Sequence, residues 1–224
     1  MTFWSQALEI ARVDLAVERR LGDSLRIVTP FAIVALIVFP LALGARLSLI
    51  AEIGPAVFWA LGVLFGMQIA LRRSANDTPH RRDLYALIGL DPAAKYVGRV
   101  ISGGVLMLAF LIVLYVAMLV LYSPDLPGGA TWIAMLTALL FGVGLTELGT
   151  MAGEVTSGLS NRSSLASLIV APLALPLVIG ASQTLEALDR DVSILPWILL
   201  LLATDLALAV AGVALARPIE ESMR

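Results

Sequence analysis

The chain has 224 residues, of which 59% are apolar and 14% are charged, and its mean hydropathy is +0.94. A soluble domain carries about 25% charged residues, so this composition excludes an ordinary water-exposed surface. The net charge of −2 gives no reason to expect a nucleic-acid partner. Because the sequence has no cysteine, disulfides, thiolate metal sites and cysteine nucleophiles are excluded.

The first predicted element is a helix over residues 2–20, with apolar residues on two arcs and polar residues on the opposite face. The polar face consists of Ser5, Glu9, Arg12, Arg19 and Arg20. This pattern fits an interfacial helix that lies along the cytoplasmic membrane surface. The alternative is a soluble helix packed on the loops.

Six stretches are long and apolar enough to cross a membrane as helices. Four of them hold no charged residue, and the fourth and sixth contain Glu147 and Asp205, respectively. The sequence therefore predicts an all-α integral membrane protein of a single domain, 1–224, with six transmembrane helices. The predicted spans are 27–45, 53–71, 100–122, 131–152, 163–184 and 195–216.

Thirteen of the fifteen basic residues fall on one side of this arrangement, and only Arg46 and Arg190 fall on the other. Short loops rich in Lys and Arg stay in the cytoplasm. We therefore expect both termini and the long loop 72–99 to lie in the cytoplasm. The protein itself is expected to be a multi-pass protein of the cytoplasmic (inner) membrane.

The loop 72–99 is the longest and most highly charged connection. Thr78 with Pro79 is a plausible helix start, and Asp91 followed by Pro92 ends that helix and can cap another turn. Such a loop can dock a separate nucleotide-hydrolysing subunit, whereas the alternative is a merely solvated loop. The residues predicted to couple to that subunit are Asp77, Arg81, Arg82, Leu84, Leu87, Ile88 and Asp91.

Four prolines within spans predict helix kinks, because each lacks the N–H of a helical hydrogen bond. These are Pro30, Pro40, Pro172 and Pro176. Gly149 and Gly153 have the spacing that permits close helix approach.

Glu147 and Asp205 are the candidate intramembrane polar sites, because exposing a carboxylate to lipid is costly. They could face a translocation pathway or share a proton. Alternatively, they lie near enough to the helix ends to reach water, or they pair with hydroxyl groups.

Catalytic and cofactor motifs are largely missing. His80 is the only histidine, and no segment matches the P-loop GxxxxGK followed by Ser or Thr. The chain is therefore expected to be a non-catalytic subunit that hydrolyses no ATP by P-loop chemistry. We also expect no metal site and no haem ligated by this chain, since only methionine and tyrosine could ligate haem iron from its membrane region.

The order of several segments resembles the cytochrome c maturation protein B (CcmB) family, also called haem exporter protein B. The matching segments are MTFWSQALEIARVDL at the start, FPLALG at 39–44, IGPAVFWALGVLFGMQIAL at 53–71 and RSSLASLIVAPLALPLVIGA at 162–181. The loop LRRSANDTPHRRDLYAL departs from the family's pattern, in which only Asp77 and Leu84 can be matched.

The resemblance implies an ABC-2-type exporter architecture and a role in assembling c-type cytochromes. It implies an ABC ATPase subunit (CcmA-like), CcmC-like and CcmD-like membrane proteins and a CcmE-like haem chaperone as partners, with two copies of this chain per complex. Haem would be handled by the complex and ATP by the partner. Two other readings stay open: a generic ABC-2 exporter subunit for a lipid, drug or glycan, and a proton-coupled carrier or intramembrane enzyme that uses Glu147 and Asp205.

Overall fold

A computed structural model of the chain describes residues 2–44, 46–75, 85, 87, 89–124, 130–155 and 162–222. Over these residues the fold is all-helical, as predicted, with seven long helices. They are α1 (Phe3–Leu21), α2 (Asp23–Ala42), α3 (Leu47–Ala75), α4 (Pro92–Tyr122), α5 (Ala130–Val155), α6 (Arg162–Asp189) and α7 (Leu195–Ser222).

Five of the helices described are long and apolar enough to span a membrane: α2, α3, α4, α5 and α7. Their apolar stretches are Leu25–Ala42, Ser48–Arg72, Pro92–Tyr122, Thr131–Val155 and Leu195–Ala216. The remaining predicted span, 163–184, lies inside α6. The chain is a multi-pass membrane protein, while the count of six spans and the ABC-2 arrangement stay predictions.

The helices extend past the apolar stretches from which the spans were predicted. α3 begins at Leu47, ahead of Pro55, and continues to Ala75. α4 begins at Pro92, so the connection between these helices is 76–91 instead of 72–99. A charged residue such as Arg72 ends the apolar stretch from which a span is predicted. It does not end the helix, because arginine is a good helix former.

The core forms where α3, α4 and α5 meet. The ring of Trp59 lies 4.7 Å from that of Phe58 and 5.0 Å from that of Phe141, measured between centroids, and both contacts are edge-to-face. Outside this core, large apolar side chains face outward, such as Phe31 and Leu206. An apolar exterior around a packed interior is the arrangement expected in lipid.

Small residues bring α3 and α5 together. A Cβ added at Gly149 would overlap the side chain of Ala70, so only glycine allows this approach. Close packing at Gly149 therefore agrees with the small-residue spacing in the sequence. The four prolines predicted to kink helices lie inside α2 and α6, and kinking stays a prediction: Pro30, Pro40, Pro172 and Pro176.

Helix α1 packs along the beginning of α4. Thr2 caps its first turn, and Gly22, with φ of +66°, ends it in the left-handed conformation that glycine adopts without strain. Ile10 is buried, and a Cβ added at Gly98 of α4 would lie 2.8 Å from the Cβ of Ile10. Trp4 of α1 is exposed. Contact between α1 and the membrane surface remains a prediction.

Candidate functional site

The connection between α3 and α4 ends in a helical turn that glycine terminates. Tyr85 and Leu87 are helical, and Gly89 has φ of +65°. The N–H of Leu90 donates to the carbonyl oxygen of Tyr85 at 3.2 Å, which is the six-to-one bond of a Schellman helix end. Leu87 is 83% exposed, so an apolar side chain stands in the open just before α4.

Asp91 caps α4 and joins the end of this connection to α1. Its carboxylate accepts a hydrogen bond from the N–H of Ala93 at 3.1 Å, which satisfies a donor in the first turn of α4. Its own N–H donates to the side-chain oxygen of Gln6 at 3.2 Å. The capping predicted for Asp91 is thus observed, and the turn it caps is the start of a 31-residue helix.

The following turns of α4 attach to the loop and to α5. The ammonium of Lys95 lies 5.8 Å from the centroid of the Tyr85 ring, a cation–π distance. The guanidinium of Arg99 forms an ion pair with Glu154 at 3.5 Å, and both side chains are largely buried. Residues 91–99, hereafter the α4 start, therefore touch α1, the loop and the end of α5.

Tyr96 connects the α4 start to α7. Its side chain is buried, and a Cβ added at Gly212 would overlap the Tyr96 ring. The α4 start therefore contacts four other parts of the fold: α1, the α3–α4 connection, α5 and α7.

Glu147 and Asp205 lie inside the bundle, on α5 and α7. They are 4% and 8% exposed. Asp205 packs against Gly144, where an added Cβ would overlap its Oδ1 atom. Within the described part of the chain, Glu147 Oε2 and both carboxyl oxygens of Asp205 are buried and accept no hydrogen bond.

Only part of the predicted coupling set can be placed. Leu87 and Asp91 belong to the described residues, next to the α4 start. The remaining members lie outside the described residues: Asp77, Arg81, Arg82, Leu84 and Ile88.

Several residues of this site did not stand out in the sequence. Gln6, Tyr96 and Glu154 carry no motif, and each is recognised only through its contact. One signal was available for Arg99 and Glu154, since they have opposite charges at the ends of two neighbouring spans. In the described ranges, no three His, Cys, Asp or Glu side chains gather as a metal site.

A family model and three curated relatives all point to the same protein family. The sequence model described as CcmB protein matches residues 5–222. Curated relatives named Heme exporter protein B come from Haemophilus influenzae (27% identical, covering 83% of this chain and 83% of the relative) and Bradyrhizobium diazoefficiens (27%, covering 78% and 79%). A third, from Pseudomonas aeruginosa, is 28% identical over 81% of this chain and 80% of the relative. The chain belongs to the CcmB protein family.

Proposed function

We propose that this chain is the membrane (permease) subunit of an ABC transporter complex for cytochrome c maturation. A separate ATPase subunit hydrolyses ATP, and this chain couples that reaction to haem export or to release of the haem-loaded chaperone. The name of the curated relatives, Heme exporter protein B, supports the choice of haem as the cargo. The chain itself is non-catalytic and binds no cofactor.

The observation that carries the proposal is the exposed Leu87 beside the α4 start. An apolar side chain on a helical turn suits the groove of a partner protein, a recurrent mode of recognition. Movement of the docked turn would reach α1 through Asp91, α5 through Arg99 and α7 through Tyr96. The α4 start is therefore suited to pass a displacement from an ATPase into the bundle.

The complex we propose contains two copies of this chain with a CcmA-like ATPase. CcmC-like and CcmD-like membrane proteins and a CcmE-like haem chaperone complete it. It resides in the inner membrane with both termini of this chain in the cytoplasm, because the basic residues concentrate at that side.

The test is a copurification with the ATPase subunit. Leu87→Asp, and separately Leu84→Asp with Ile88→Asp, should release the ATPase and stop cytochrome c maturation while the chain still inserts at normal levels. Val192→Asp is the matched control, since Val192 is an exposed apolar residue in the connection between α6 and α7. Retention of the ATPase by both loop variants would refute docking at this turn.

Two other functions predict different results in the same experiment. A generic ABC-2 exporter would lose its ATPase in the loop variants, but the loss would leave cytochrome c maturation intact. A proton-coupled carrier is favoured by one observation, the buried Glu147 and Asp205. It would copurify with no ATPase at all.

A further inference from the structure

A groove of about 640 Å³ runs between α2 and α4, away from the site described above. Phe110 is fully buried at its base, whereas Val34 and Val113 are exposed along it. Apart from Arg26 and Thr29, every lining residue that the structure describes is apolar. The lining residues are Leu25, Arg26, Thr29, Pro30, Ile33, Val34, Ala109, Phe110 and Val113.

A cationic side chain, that of Arg26, lies at one end of this groove. Arg26 lies in the first turn of α2, directly after the junction with α1 at Gly22. A Cβ added at Gly22 would lie 2.7 Å from Nε of Arg26, so the guanidinium arm folds back over the junction. Among the side chains that the structure describes, which exclude that of Asp23, no carboxylate pairs with Arg26.

The dimensions of the groove match one leaflet of a bilayer. Its α2 side extends from Leu25 to Val34, a rise of about 14 Å at 1.5 Å per residue. That length is roughly half of the 30 Å hydrocarbon core. A ligand that fits must therefore place an anion beside Arg26 and an apolar chain one leaflet deep.

We propose that the groove binds one acyl chain of an anionic phospholipid, with the lipid phosphate at Arg26. The interaction combines burial of the chain against Phe110 with charge pairing at the membrane surface. The lipid belongs to the leaflet on the side of the α1–α2 junction. It would be a structural lipid held between α2 and α4, and it does not depend on the function proposed above.

Two other occupants fit the groove less well. A transmembrane helix is 10–12 Å across and crosses the whole core, whereas this groove covers only about three turns of α2. Haem could pair a propionate with Arg26. However, the described lining residues include none of the side chains that ligate haem iron.

The test measures binding of the first lipid to the delipidated full-length chain by native mass spectrometry. Phosphatidylglycerol and phosphatidylcholine with identical oleoyl chains are the probes. The chain should prefer phosphatidylglycerol by about fivefold, as expected for one basic residue at a membrane surface. Arg26→Gln should remove the preference, and Arg26→Lys should retain it.

A second variant tests the apolar part separately. Ala109→Phe fills the groove and should weaken the first binding event for both lipids. The matched controls are Val120→Phe, at an exposed position farther along α4, and Arg46→Gln, beyond the other end of α2. Both should bind like the parent chain.

The proposal fails if Arg26→Gln keeps the phosphatidylglycerol preference or if Ala109→Phe binds the first lipid unchanged. It also fails if added haem displaces the lipid and both variants lower haem retention.

Discussion

The hydroxyl of Tyr122 donates a hydrogen bond to the backbone carbonyl oxygen of Leu36, with 2.8 Å between the oxygens. In a regular helix that carbonyl would accept from the N–H of residue 40, but residue 40 is a proline and has none. The last residue of α4 therefore satisfies the group that Pro40 leaves without a partner in α2. Tyr122 also packs on Gly54, so it connects α2, α3 and α4.

This relationship predicts a specific pattern in a double-mutant cycle. Tyr122→Phe should lower the free energy of unfolding in detergent by about 1 kcal/mol, the scale of interhelical hydrogen bonds in membranes. Pro40→Ala restores the N–H within α2. In that background, Tyr122→Phe should cost less than half as much, measured by denaturation of each variant.

Equal costs of Tyr122→Phe in both backgrounds would mean that the hydroxyl and Pro40 are independent. Tyr115→Phe is the internal comparison, because the Tyr115 hydroxyl is a buried group without a hydrogen-bond partner in the described residues. Its removal should cost little or be favourable.

Pro40 and Tyr122 also mark where sequence reasoning ends. Hydropathy located the apolar stretches because lipid demands about 20 apolar residues per crossing, whatever the neighbours are. A proline inside a span can be read as a missing donor, but the side chain that compensates lies 82 positions farther along the chain. Only the packing of α4 on α2 reveals it.

The same limit applies to the candidate site. Glu147 and Asp205 could be singled out because a carboxyl group within a span is unusual. Tyr96 and Gln6 could not, since a tyrosine or glutamine near a helix end is ordinary until its contacts are known. Helix bounds differ from the predicted spans for a related reason: α4 begins at Pro92 because Asp91 caps it, eight residues before the predicted span 100–122.

The docking of α1 on α4 should depend on Gly98. A side chain there would meet the backbone oxygen of Ala7 at 2.5 Å and the branched Cβ of Ile10, neither of which can rotate away. Gly98→Leu should therefore lower the stability of the packing between α1 and α4 by roughly 1 to 3 kcal/mol, the usual penalty of overpacking. Because the chain has no native cysteine, Ala7→Cys can report the change.

Ala7 is fully buried, so the introduced thiol should react slowly with an alkylating reagent. With Gly98→Leu it should react about tenfold faster, because α1 opens more often. Gly104→Leu on the same helix is the control, since the nearest atom to a Cβ there is 4.0 Å away. Unchanged alkylation in the Gly98 variant would mean that α1 does not rely on this contact.

The orientation in the membrane has a direct test. Ser123 and Ser193 are exposed residues beside α4 and α7. Cysteines at these positions should react with a membrane-impermeant thiol reagent added outside the cell, and cysteines at Ser74 or Ser160 should not. The reason is the concentration of basic residues on the side that holds 74 and 160. Labelling of a cysteine at position 74 from outside the cell would contradict the predicted orientation.

The two buried carboxyl groups should matter more for function than for folding. Glu147 of α5 and Asp205 of α7 are buried, and within the described residues Glu147 Oε2 and both carboxyl oxygens of Asp205 accept no hydrogen bond. Removing the charge therefore breaks no hydrogen bond at these three oxygens. Glu147→Gln and Asp205→Asn keep the shape of each side chain and remove its capacity to ionise. We therefore expect normal insertion and an unfolding free energy that is unchanged or higher.

Cytochrome c maturation should nevertheless fall by about fivefold or more in each amide variant, the lower range of measured coupling between sites. The reason is position: Glu147 lies on α5 three residues after Gly144, which packs against Asp205 of α7. The same helix carries Glu154, which forms an ion pair with Arg99 of the α4 start. Thr146→Val is the matched control, since it removes a buried hydroxyl whose bond goes only to its own helix, at Gly142. If both amide variants support maturation as well as Thr146→Val does, the carboxyl groups serve packing alone.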